Sequence, residues 1–115
     1  MRGALQKVSL GPAVEVVPGG QSMAHHQVAG WHLVIFDLGD GSFSAMHDLC
    51  THADARFSQG WLEEDCVACP WHGAQFDIRT GKALSLPATE DVRMFDTQVV
   101  DGHLQVILPP APPAT

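Results

Sequence analysis

Two short boxes, each holding one cysteine and one histidine, constrain this chain more than any other feature. The first is Cys50-Thr51-His52 and the second is Cys69-Pro70-Trp71-His72, so the pattern is C-x-H-x16-C-x2-H. Sulfur is a soft ligand and imidazole a harder one, and each box offers both. Mixed pairs in two loops suit a site with two metal atoms of unlike ligand preference. Structural zinc is the rival reading, because two Cys and two His also make a tetrahedral set. Zinc sites favour pairs of like ligands, C-x2-4-C and H-x3-5-H. Here the pairs are mixed and only Thr51 separates the first two ligands, so the spacing speaks against zinc.

The stretches Cys50-Thr51-His52-Ala53-Asp54-Ala55 and Cys69-Pro70-Trp71-His72-Gly73-Ala74-Gln75-Phe76-Asp77 resemble the two cluster-binding boxes of Rieske proteins. Thr80-Gly81-Lys82-Ala83-Leu84 and Pro87-Ala88 are similar to the small Rieske ferredoxins that feed bacterial aromatic-ring-hydroxylating dioxygenases. The resemblance implies one [2Fe–2S] cluster, with Cys50 and Cys69 as thiolates on one iron and His52 and His72 as neutral imidazoles on the other. It also implies that the cluster sits at the tip of two loops extending from small antiparallel sheets.

The bulk numbers agree with one small globular domain. The chain has 115 residues, enough for one domain with a modest core. Its formal net charge of −7 argues against binding a phosphate backbone. Cys50, Cys66 and Cys69 are an odd count with two claimed as ligands, which is no disulfide framework and fits a reducing compartment. The first residues, Met1 to Lys7, lack the apolar run of a signal peptide, and no segment has the length to cross a bilayer. A cytoplasmic location is therefore expected.

Periodicity points to an all-β sandwich or barrel-like base. Strands are expected around Gln6–Leu10, Ala13–Val17, Ser22–Val28, Trp31–Leu38, Phe43–Met46, Asp65–Cys69, Gln75–Ile78, Met94–Val100 and His103–Leu108. Gly39-Asp40-Gly41-Ser42 and Asp101-Gly102 are hairpin turns. Asp54–Ser58 is expected to form one helical turn. Residues 1–44 and 85–108 would make the β base, and 45–84 a cluster-binding subdomain inserted into it. The Pro-rich tail 109–115 is expected to be extended and disordered.

Several residues admit plainer roles. Cys66 makes a C-x2-C with Cys69 but lacks the strand-then-helix context of a redox dithiol, so it reads as a buried small hydrophobe. His25 and His26 are adjacent and would point to opposite faces of a strand. His32 and His103 read as surface or hydrogen-bonded core histidines. His47 lies three residues before Cys50 and would pack beside the cluster without binding it. Gly60, Gly73 and Gly81 flank the loops, either to let backbone N–H groups approach the sulfurs or as turn glycines. Trp71 is a shield or docking contact at the tip, or a core residue. Glu63-Glu64-Asp65 is a solvated face that would also steer a basic partner.

Departures from the family pattern set an expected potential. Cytochrome bc-type Rieske proteins brace the cluster with a disulfide, and the corresponding positions here are Ala55 and Trp71. That type also follows its second His with Gly, Ser, a variable residue and Tyr, whereas Gly73 is followed by Ala74, Gln75 and Phe76. With both hydroxyl donors missing, a potential of about −150 mV rather than about +300 mV is expected.

The resemblance therefore implies a one-electron carrier with no catalytic residues. It would take electrons from a flavoprotein NAD(P)H-dependent ferredoxin reductase and pass them to a terminal oxygenase. No nucleic acid or membrane partner is expected, and the protein is expected to be a monomer. Docking would use Cys50–Ala55 and Pro70–Gly73, with Leu84–Ala88 beside them. The alternative is a small Rieske subunit of another reductase, such as assimilatory nitrite reductase. An oxygenase itself is not expected, because a mononuclear iron domain would need more chain after the second box than is seen here.

Overall fold

Strand Trp31–Asp37 is the keel of the molecule because it is buried on both faces. Its apolar run carries Trp31, Leu33 and Ile35 toward one core and Val34 and Phe36 toward another. Alternation along a strand explains the division, and a strand covered on both sides reads as a continuous hydrophobic run. The structure, a computed structural model, describes residues 5–51, 55–71, 73–86 and 90–110.

The elements in chain order are β1 Gln6–Pro12, α1 Ala13–Val16, β2 Met23–Val28, β3 Trp31–Asp37, β4 Phe43–His47, β5 Trp61–Glu63, β6 Cys66–Ala68, β7 Gln75–Asp77, β8 Met94–Phe95, β9 Thr97–Val100 and β10 His103–Leu108. They form three antiparallel sheets, ordered β1-β10-β9, β2-β3-β4-β8 and β5-β6-β7. The fold is all-β, as the spacing of short strands predicts. The middle sheet pairs Met23 with Phe36, Leu33 with His47, and Ala45 with Phe95. The first sheet closes the first core with Leu104, Val106 and Leu108, all fully buried, as their alternation predicts. The third sheet closes the second core with Val67 and Phe76. No helix among the described residues is long and apolar enough to cross a membrane.

Turn chemistry sets the registers. Asp101 and Gly102 both adopt positive φ, 51° and 78°, which a two-residue hairpin between β9 and β10 requires. The expected hairpin over Gly39–Ser42 also forms, with Leu38 donating to the Ser42 carbonyl at 3.1 Å.

Three local expectations need correction. Ala13–Val17 is not a strand; Ala13–Val16 makes one helical turn after Pro12. Proline cannot donate to a ladder, and Val16 and Val17 both enter the first core, which neighbours on a strand would not do. Met94–Val100 is not one strand either. The chain breaks at exposed Asp96, leaving β8 in the middle sheet and β9 in the first. Strand β5 was not expected at all. The helical turn near Ser58 is a 3-10 turn over Phe57–Gln59, while Asp54 lies outside the described residues. Of the tail, the Pro109 carbonyl accepts the Trp31 indole N–H at 3.3 Å, and residues 111–115 lie outside the described residues.

Candidate metal centre

Cys50 follows β4 and Cys69 follows β6, so the two boxes leave different sheets and converge on the second core. Each box is closed by the same kind of bond. The Cys50 N–H donates to the Ala55 carbonyl, and the Cys69 N–H donates to the Ala74 carbonyl, both at 2.8 Å. Gly73, at φ +69°, returns its N–H to the Cys69 carbonyl at 3.2 Å. The Trp71 N–H points at the Cys69 sulfur at 3.4 Å. Thr51 donates its hydroxyl to the Glu90 carbonyl at 2.8 Å, tying the first box to the strap before β8.

The Cys50 and Cys69 side chains make a hydrogen-bonded contact, and both are buried. Burial pushes the Cys69 thiol up to about 11; Cys50 adds to this, and the Trp71 N–H opposes it. Two adjacent buried sulfurs of this kind ionise readily only against strong positive charge. This sulfur pair, with a backbone donor aimed at one member, fits the thiolate half of an iron–sulfur ligand set. His52 and His72 lie outside the described residues. Among the described residues no group of three or more His, Cys, Asp or Glu is placed to hold a metal.

Close backbone approach holds the loops. A Cβ on Gly60 would lie 1.9 Å from the Ala68 carbonyl oxygen, and one on Gly81 would lie 2.2 Å from that of Val92. These two glycines serve chain crossing. Gly73 serves the turn itself.

The remaining candidates separate by strand parity. Cys66 is two positions from Ala68 but on the opposite face from Val67 and Cys69, so the C-x2-C is not a dithiol. It is half-buried, and burial together with Asp77, Asp65, Glu64 and Glu63 holds its thiol above the usual range. His47 lies on the face of β4 opposite Met46 and packs edge-on against Trp31 with centroids 5.3 Å apart. It therefore faces the first core and not the sulfurs. Burial, then Arg93, lowers its pKa. His25 and His26 do point to opposite faces, and His26 meets the Val16 carbonyl at 2.7 Å. His103 meets the Asp101 carbonyl at 3.1 Å.

Sequence reading missed the polar frame beneath the first box. Arg56 Nη1 donates to His32 Nδ1 at 2.7 Å and to His25 Nε2 at 3.0 Å. The two ring nitrogens also lie 3.0 Å from each other, and His25 Nε2 lies 3.9 Å from Asp48 Oδ2. Burial lowers the His25 pKa, with Asp48 opposing this and Arg56 adding to it. Asp48 is buried and accepts from Ser58. No local motif marks these residues, because their partners are distant in sequence.

Several large apolar side chains in and after the third sheet are exposed. Trp71 is 57% exposed, Trp61 46%, Leu84 47% and Leu86 81%. Trp71 is thus a surface residue and not a core one. Glu63, Glu64 and Asp65 are exposed at the β5–β6 hairpin, where the Gln75 side chain donates to Glu63. Ala55, Ala74 and Phe76 are buried and apolar. Pro87 and Ala88 lie outside the described residues.

A family model described as Rieske [2Fe-2S] domain matches residues 6–96. The anthranilate 1,2-dioxygenase ferredoxin subunit of Burkholderia cepacia is 47% identical over 74 residues, covering 64% of this chain and 68% of that protein. The ferredoxin of carbazole 1,9a-dioxygenase from Nocardioides aromaticivorans IC177 superposes with a TM-score of 0.78 at 29% identity, over 94% of this chain and 99% of that one. A chain from the complex of reduced oxygenase and oxidized ferredoxin in carbazole 1,9a-dioxygenase gives a TM-score of 0.75 at 32% identity, over 87% and 91%.

Proposed function

The chain belongs to the Rieske [2Fe-2S] domain family, and from that footing we propose that Cys50 and Cys69 bind one iron of its cluster while His52 and His72 bind the other. The cluster supplies one reversible electron. The protein is the electron carrier of a multicomponent aromatic dioxygenase system and not its catalytic enzyme. The observation that carries the ligand reading is the buried contact between Cys50 and Cys69, two sulfurs brought together from separate sheets.

The chain's own residues divide the work. Burial excludes water from the sulfurs, and the Trp71 N–H favours negative charge on Cys69. Residues 45–84 carry the cluster, and 1–44 with 85–108 form the base. The partner that accepts the electron is a terminal oxygenase, and the donor is a flavoprotein NAD(P)H-dependent reductase in the cytoplasm. The exposed Trp71, Leu84 and Leu86 form the apolar part of a small, brief docking surface.

Stopped-flow mixing tests this role. The chemically reduced protein should be reoxidised by an oxidised terminal oxygenase of this class, one electron per cluster. An intact cluster that no such oxygenase reoxidises would contradict it.

A further inference from the structure

Asp48 is the charged side chain that the described fold buries completely, with its carboxylate 0% exposed. A buried carboxylate is costly unless its oxygens are bonded. Here Oδ1 accepts the Ser58 N–H at 2.9 Å and Oδ2 accepts the Ser58 hydroxyl at 2.5 Å. Both donors come from one residue on the far side of the first box. The two ends are themselves anchored. The Asp48 N–H donates to the His32 carbonyl on β3 at 2.9 Å. Beside Ser58, fully buried Phe57 packs edge-on against Phe76 at 5.0 Å between centroids. The bond from Cys50 to Ala55 closes a smaller ring inside the one that Asp48 and Ser58 close.

We propose that Asp48 and Ser58 are a positioning pair for the first box: their paired bonds fix the loop that presents Cys50, and the carboxylate's charge depresses the cluster's reduction potential. The inference rests on the cluster reading above. Its electrostatic half follows from location. Asp48 is two residues from Cys50, and both of its carboxylate oxygens accept from Ser58. A fixed negative charge beside a redox centre makes an added electron less favourable.

Two variants separate the halves. In Asp48→Asn the side-chain carbonyl still accepts the Ser58 N–H, and the Ser58 hydroxyl can turn to accept from the amide, so mainly the charge is lost. In Ser58→Ala the charge stays and one bond is lost; Ser58→Thr restores the hydroxyl. We expect Ser58→Ala to lose its cluster to an iron chelator about tenfold faster, the loss of one charge-assisted bond, and Ser58→Thr to return toward wild type. Asp48→Asn should move the midpoint potential positive while keeping the visible spectrum. If Ser58→Ala yields no folded protein, the Asp48→Asn potential decides. Loaded wild type and variants with equal chelation rates, or an Asp48→Asn potential unchanged or more negative, would overturn the inference. A wild-type protein without acid-labile sulfide would remove the cluster reading and this inference together.

Discussion

The Cys50 and Cys69 side chains meet inside the second core, although one stands on a loop of the middle sheet and the other on a loop of the third. The candidate centre is therefore the seam between two layers. A group bound there clamps both, and binding to the folded state alone stabilises it. Cys50→Ser and Cys69→Ser should each lose iron and acid-labile sulfide and unfold at a lower temperature than the loaded wild type. Cys66→Ser, on the other face of β6, should keep both. Metal and sulfide analysis with a melting curve checks this, and a Cys66→Ser protein lacking sulfide would contradict it.

The potential should sit low in the family range, near about −150 mV. Ala74 is fully buried and its carbonyl accepts the Cys69 N–H, so a hydroxyl added at this residue sits beside the sulfur-bearing loop. Ala74→Ser should raise the potential by about 40 mV, one hydrogen bond of about 1 kcal/mol acting on a one-electron couple. Phe76→Tyr should move it the same way. Protein-film voltammetry reads both shifts. A wild-type value above zero would exclude this explanation.

Acid should weaken the fold before the carboxylates titrate. His25 and His47 both have pKa values lowered from 6.5, chiefly by burial. As pH falls through 6.5, the unfolded chain takes up protons that these folded side chains still refuse. Stability is therefore complete above 6.5 and declines from there down to the depressed folded values. The melting temperature should drop as pH falls below 6.5, and the His25→Gln/His47→Gln double variant should drop less. Equal slopes for the two proteins would contradict this.

Glycine replacements should rank by backbone crowding. Gly60→Ala and Gly81→Ala place a Cβ within 1.9 Å and 2.2 Å of a carbonyl oxygen, so something must shift. Each should cost about 3 kcal/mol or more. Gly39→Ala meets open space and strains only a φ of +84°, a cost of about 1 to 2 kcal/mol. Urea titrations of the three variants give the order.

Features written into short windows were legible in the sequence. The β3 run and the Asp101-Gly102 hairpin needed only propensity and turn chemistry. The two boxes stood out by their spacing and by their likeness to the Rieske pattern; the structure brings Cys50 and Cys69 together, and the histidines lie outside the described residues. Features that depend on distant partners were not legible. Nothing local shows that the chain changes sheets at Asp96, that Val16 and Val17 share one core, or that His47 turns toward Trp31. The grip of Arg56 on His25 and His32 joins residues from β2, β3 and the loop after the first box, so no motif announces it.

Mixed sulfur and nitrogen ligation of two irons is tested most directly by electron paramagnetic resonance of the anaerobically reduced protein, with iron and sulfide counted on the same sample. The expected result is two irons and two sulfides per chain, with an average g clearly below that of all-cysteine ferredoxins. A colourless protein holding one zinc and no sulfide, or an average g matching four-cysteine clusters, would contradict it.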